Sequence, residues 1–70
     1  MRTFAEIRVL SGFKSQENLA KVSNCTRSAV AKWETGLSYP SAQKLVKLAS
    51  VLGVTEGEII KAIVASKQNN

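Results

Sequence analysis

Histidine is absent from this 70-residue chain, and cysteine occurs once, as Cys25. Without histidine the chain has neither the commonest acid–base side chain nor the commonest metal ligand. One cysteine forms no internal disulfide, and Cys25 stands in no metal-ligand spacing. The expectation is no metal, no cofactor, no small-molecule ligand and no enzymatic activity. A lone cysteine among apolar neighbours packs as a small hydrophobe. Long apolar runs are missing too. Nothing approaches the ~20 residues of a membrane-spanning helix, and no leader-like segment stands out. The chain is therefore read as cytoplasmic, without a membrane role. Strand-like alternation persists nowhere, and there is no internal repeat or low-complexity segment.

What is present is apolar and basic. Hydrophobic residues make up 44% of the chain, ordinary for a folded protein. Seventy residues allow one domain, which buries only about 60% of its unfolded surface and so depends on well-packed helices or on association. Ten Lys and Arg oppose five acidic residues, a net charge of +5 that favours a polyanionic partner. Between residues 14 and 47 there are six basic and two acidic side chains, four of those five net charges. Lys14, Lys21, Lys44 and Lys47 are candidate phosphate contacts within that stretch.

Helix signals recur five times. Thr3 and Glu6 have capping-box spacing ahead of a helix from about Phe4 to Ser11, with Gly12 as its stop. Ser15 caps a second helix, from about Gln16 to Val22. A tight turn, Ser23-Asn24-Cys25, follows, with Asn24 suited to positive φ. Thr26 caps a third helix that runs to about Glu34 and stops at Gly36. Pro40 and Ser41 precede a fourth, from about Ala42 to Leu52. Thr55 and Glu58 repeat the capping box and open a fifth, from about Glu56 to Ala65. The remaining residues form a polar tail, so the domain is set at 1–66 and the tail at 67–70. Ile59, Ile60, Ile63 and Val64 give the fifth helix a wide apolar side. That side either closes the bottom of the domain or forms part of a dimer or partner contact.

The third helix has two unlike sides. At about 100° per residue, Arg27, Ala31, Ser28 and Lys32 fill one arc, while Ala29, Trp33 and Val30 fill the opposite one. The second arc suits a core, and Trp33 is read as part of it. The first begins at a helix N-terminus, whose free N–H groups and dipole favour phosphate. A helix fits the major groove. There Arg bonds guanine through two N–H groups, Lys takes guanine or phosphate, Ser is permissive, and a small Ala permits close approach. The second helix precedes this one by about three residues, which is helix-turn-helix spacing, and Ala20 sits at the close crossing.

The segments SQENLAKVSNCTRSAVAKWETG and YPSAQKLVKLASVLGVTEGEII resemble the Cro and C1-type repressor family, over about Thr3 to Ile63. The matching positions are Gln16, Leu19, Ala20, Glu34, Gly36, Pro40, Leu52, Gly53, Val54 and Thr55. The resemblance implies an all-α, five-helix, lambda-repressor-like domain and a transcriptional regulator of repressor type. Such a protein binds a near-palindromic operator in duplex DNA as a homodimer. The resemblance further implies base contacts from Arg27, Ser28 and Lys32, to which the helical arc adds Ala31, and backbone contacts from Gln16 and the loop of Leu37, Ser38 and Tyr39; Lys14 and Lys44, by charge, and Thr26, by its place at the helix head, join these as backbone contacts. It also implies a partly buried ion pair between Arg8 and Glu34.

The chain departs from the pattern in four places. It carries an extra residue near Lys14, Asn24 where glycine is usual, Ser23 where an apolar residue is usual with Val22 one place earlier, and a loop of Leu37, Ser38 and Tyr39 where basic residues are common. That thin loop and the apolar fifth helix also suit a rival role. In it, the same fold acts chiefly by binding a second regulatory protein, as an anti-repressor or antitoxin does.

Overall fold

The computed structural model describes residues 1–68, which form five helices and no strand. They are α1 (Phe4–Leu10), α2 (Gln16–Val22), α3 (Arg27–Thr35), α4 (Ala42–Leu52) and α5 (Glu56–Gln68). Side chains three residues apart close each N-terminus. Thr3 Oγ1 accepts from the Glu6 N–H at 3.2 Å, and the Thr3 N–H donates to Glu6 Oε1 at 2.7 Å. Thr55 and Glu58 repeat this reciprocal pair at 3.1 Å each way. Ser15, Thr26 and Ser41 each accept a backbone N–H of the first turn of α2, α3 and α4. Each cap satisfies a donor that the helix itself leaves without an acceptor.

α1 stops one residue before Ser11, which serves as its C-cap. The Ser11 hydroxyl bonds the carbonyl oxygens of Ile7 at 2.7 Å and Leu52 at 3.1 Å, tying the end of α1 to the end of α4.

α5 corrects the sequence reading more substantially. It continues through Ser66 and Lys67 to Gln68, so the boundary set between domain and tail falls inside the helix. Asn69 and Asn70, the rest of that tail, lie outside the described residues. The cause is tertiary. Ser66 is buried; its hydroxyl donates to the Ala62 carbonyl at 2.8 Å and accepts the Phe4 N–H at 3.0 Å. Phe4 opens α1, where a backbone N–H lacks an intrahelical acceptor. Ser66 supplies it. Further along, Gly36 lies against the Lys67 backbone: a Cβ at Gly36 would come 2.7 Å from Lys67 Cα.

α5 is the common neighbour in the fold, packing against α1, α3 and α4, while α2 packs chiefly on α3. The core between them includes Phe4, Leu19, Val30, Trp33, Leu48, Leu52, Ile59 and Ile63. Trp33 meets Phe4 edge to face, ring centres 5.9 Å apart, a geometry worth about 0.5–1.5 kcal/mol beyond the area buried.

Ile59 and Ile63 are fully buried, which removes them from the proposed partner contact. Ile60 and Val64 turn outward, 43% and 37% exposed. The split follows from helical geometry, because Ile59 and Ile63 are one turn apart on the side facing α1, α3 and α4.

A candidate nucleic-acid interface

The turn between α2 and α3 sets how the two helices meet. Ser23 caps α2, and Asn24 follows at φ 56°. The Cys25 N–H reaches back to the Ala20 carbonyl at 2.9 Å, and the Asn24 N–H points to the Lys21 carbonyl at 3.4 Å. These are the two bonds of a Schellman ending, with asparagine in the left-handed position that glycine usually fills. Ala20 and Leu19 are buried beneath it, and the small side chain at Ala20 lets α2 lie close on α3.

Where the chain departs from the usual apolar residue, the structure keeps the departure. Ser23 is completely buried, its hydroxyl without a hydrogen-bond partner, while Val22 is 51% exposed. The backbone of the turn, rather than side-chain preference, decides which of the two faces inward.

α3 stands on its apolar side. Val30 and Trp33 are buried and Ala29 is half-buried, whereas Arg27, Ser28 and Lys32 are exposed and Ala31 is half-buried between them. Thr26 is exposed at the head of the helix, its hydroxyl oxygen accepting the Ala29 N–H at 3.1 Å. The outward arc is continuous and carries two positive charges. α3 ends at Gly36, which takes φ 73°.

Beneath the rim of this surface lies a three-residue polar network. Arg8 Nε donates to Glu34 Oε2 at 2.6 Å, and the two side chains are only 11% and 10% exposed. The Arg8 guanidinium also donates to the Phe13 carbonyl at 2.7 Å. The second oxygen of Glu34 accepts from Gln16 Nε2 at 3.0 Å. The pair thus joins α1 to α3, and Gln16 brings in the start of α2.

The other residues singled out as backbone contacts sit differently. Lys14 and Tyr39 are exposed and Ser38 is half-buried. Lys44 is half-buried and engaged, its ammonium donating to the Asn24 carbonyl, so it ties α4 to the turn rather than extending freely into solvent. Neither this bond nor that of Gln16 to Glu34 has a local sequence signature. Both join residues 18 or more positions apart.

Cys25 is half-buried, and burial pushes its thiol above the ordinary value despite the opposing pull of the Lys44 ammonium. A protonated thiol is a poor nucleophile and a poor metal ligand. Among the described residues no group of three or more His, Cys, Asp or Glu gathers to hold a metal ion. No described helix is long and apolar enough to cross a membrane.

Neither the curated proteins nor the solved structures compared with the chain contain a match. A family model described as helix-turn-helix matches residues 5–59, which spans all of α2, the turn, α3 and α4 and most of α1. With that match and five helices in this order, the chain belongs to the Cro/C1-type helix-turn-helix family of DNA-binding regulators and has its all-α, lambda-repressor-like fold.

Proposed function

We propose that the protein is a sequence-specific, repressor-type regulator that acts in the cytoplasm by laying α3 in the major groove of duplex DNA. One observation carries this reading. The exposed arc of Arg27, Ser28 and Lys32 stands on a helix whose other side is locked into the core by Val30 and Trp33. Arg27 and Lys32 supply donors for guanine edges, Ser28 a permissive hydroxyl, and Ala31 room for close approach or contact with a thymine methyl. Gln16, Lys14, Thr26, Ser38 and Tyr39 flank the arc as contacts to the sugar–phosphate backbone. Lys44 joins them with the N–H groups left after its bond to Asn24. On DNA the protein works as a homodimer on a near-palindromic site, with half-sites about 34 Å apart. Ile60 and Val64 are the exposed apolar residues of α5 available for that contact. The protein needs no cofactor or small-molecule ligand.

Selection of bound duplexes from a random pool, followed by salt titration, tests the proposal. A recovered consensus, bound with affinity falling steeply as salt rises, is the expected result. Failure to enrich any sequence refutes it.

A second reading keeps the fold but makes a regulatory protein the principal partner. It is favoured by exposed apolar side chains outside the α3 arc, notably Leu37 in the loop that follows α3 and Leu10 on α1. Undetectable duplex binding combined with tight capture of another regulator supports it.

A further inference from the structure

Glu34 occupies an unusual place for a structural ion-pair partner. It lies on the same strip of α3 as Arg27 and Ala31, seven and three residues further along, about 10 Å along the axis from Arg27. Its two oxygens face different elements. Oε2 is held by Arg8 from α1, and Oε1 by the carboxamide of Gln16 from α2.

A carboxylate only accepts hydrogen bonds. It therefore dictates which end of the Gln16 carboxamide faces inward. The Nε2 end must turn to Glu34, leaving one N–H and Oε1 unused, since the Gln16 side chain makes no other hydrogen bond among the described residues. Arg8 in turn fixes the carboxylate, because its guanidinium is anchored at Nε by Glu34 and at Nη1 by the Phe13 carbonyl. Gln16 remains half-exposed at the rim.

We infer that Glu34 is a positioning residue for nucleic-acid contact. It locks the Gln16 carboxamide in one orientation and so presents a preset donor to the duplex at the far end of the strip that Arg27 begins. The inference rests on the DNA-binding reading and adds to it a link between the interior ion pair and the contact surface. A freely rotating glutamine loses side-chain freedom on binding; a prealigned one does not, which favours affinity.

Two measurements test this. The first needs no ligand. In proton–nitrogen spectra of the whole protein, one of the two side-chain amide protons of Gln16, the one held by Glu34, should exchange with water more slowly than those of the exposed Gln43 and Gln68. That protection should vanish in the double variant Arg8→Met/Glu34→Leu. The double replacement is chosen because exchanging a buried ion pair for apolar residues often preserves stability, whereas removing one partner does not.

The second measurement is a mutant cycle on a duplex carrying the consensus recovered by selection. Gln16→Ala should weaken binding about tenfold in the wild-type background, and less than about twofold in the double variant. Gln16 protons that exchange like those of Gln43 and Gln68, or equal Gln16→Ala losses in both backgrounds, overturn the inference. If Arg27→Ala shows base-specific loss while the cycle is additive, this inference falls alone. If the wild type enriches no duplex, the DNA-binding reading falls and takes this inference with it.

Discussion

Replacing Ser23 with alanine should stabilise the protein, contrary to the usual effect of deleting atoms from an interior. The Ser23 side chain has no solvent exposure, and its hydroxyl makes no hydrogen bond. A buried hydroxyl without a partner costs roughly 1–3 kcal/mol by protein mutational measures. Against that, alanine leaves a void of one oxygen atom, smaller than the methyl-sized void that costs about 1 kcal/mol. The difference is a net gain of about 1 kcal/mol, worth about 4–8 °C in Tm for a domain of this size. Thermal unfolding followed by circular dichroism, with urea titration alongside, measures it. An increase in midpoint with unchanged urea dependence is expected. Ser23→Val should gain less, because added methyls crowd a filled site and overpacking costs about 1–3 kcal/mol. A lower midpoint for Ser23→Ala at unchanged urea dependence refutes the reasoning, since it would mean that the hydroxyl is bonded.

Arg27→Ala should weaken binding to the selected duplex by about 1–3 kcal/mol and relax preference at one base pair; equal weakening on every sequence would reassign Arg27 to a phosphate. Glu34→Ala should destabilise the fold by about 3 kcal/mol or more in urea unfolding, because the Arg8 charge is left buried and unpaired, while Arg8→Met/Glu34→Leu should stay near wild type. Gly36→Ala should lower the unfolding free energy from urea titration by more than about 1–2 kcal/mol, the cost typical of a left-handed non-glycine residue, since its φ is 73° and the new Cβ also meets the Lys67 backbone; a loss no larger than that range would mean that the Lys67 backbone does not lie against Gly36. For Glu6, hydrogen bonds from the Thr3 backbone and hydroxyl hold the carboxyl below the value of 4.5. The folded state therefore binds its proton less readily than the unfolded chain does. Its contribution is present above 4.5 and is lost as pH falls through the lowered folded value. Glu6→Gln should flatten that part of the acid-unfolding curve; an unchanged curve would show that the charge of Glu6 adds nothing to stability.

The capping residues were legible one by one. Thr3, Ser15, Thr26, Ser41 and Thr55 mark helix starts because a hydroxyl three residues ahead of a backbone N–H satisfies it whatever the rest of the fold does. Trp33 reads as interior and Arg27, Ser28 and Lys32 as exterior because a helix turns about 100° per residue. The end of α5 was not legible. "SKQNN" is polar, and nothing local reveals that Ser66 will find the Phe4 N–H 62 positions away. The four-residue apolar run on α5 was only half readable, since its width exceeds what one neighbouring helix covers, and the packing of α1, α3 and α4 decides that Ile59 and Ile63 go inside.

Short-range chemistry, acting over three or four residues, therefore settled where helices begin, which side of α3 is apolar, and the likeness to a family of DNA-binding regulators. Tertiary packing alone decided which side chains engage across elements: Gln16 with Glu34, Lys44 with the turn, Ser66 with α1. Those bonds depend on how the helices cross, and the crossing is a joint property of the whole core that no single segment encodes.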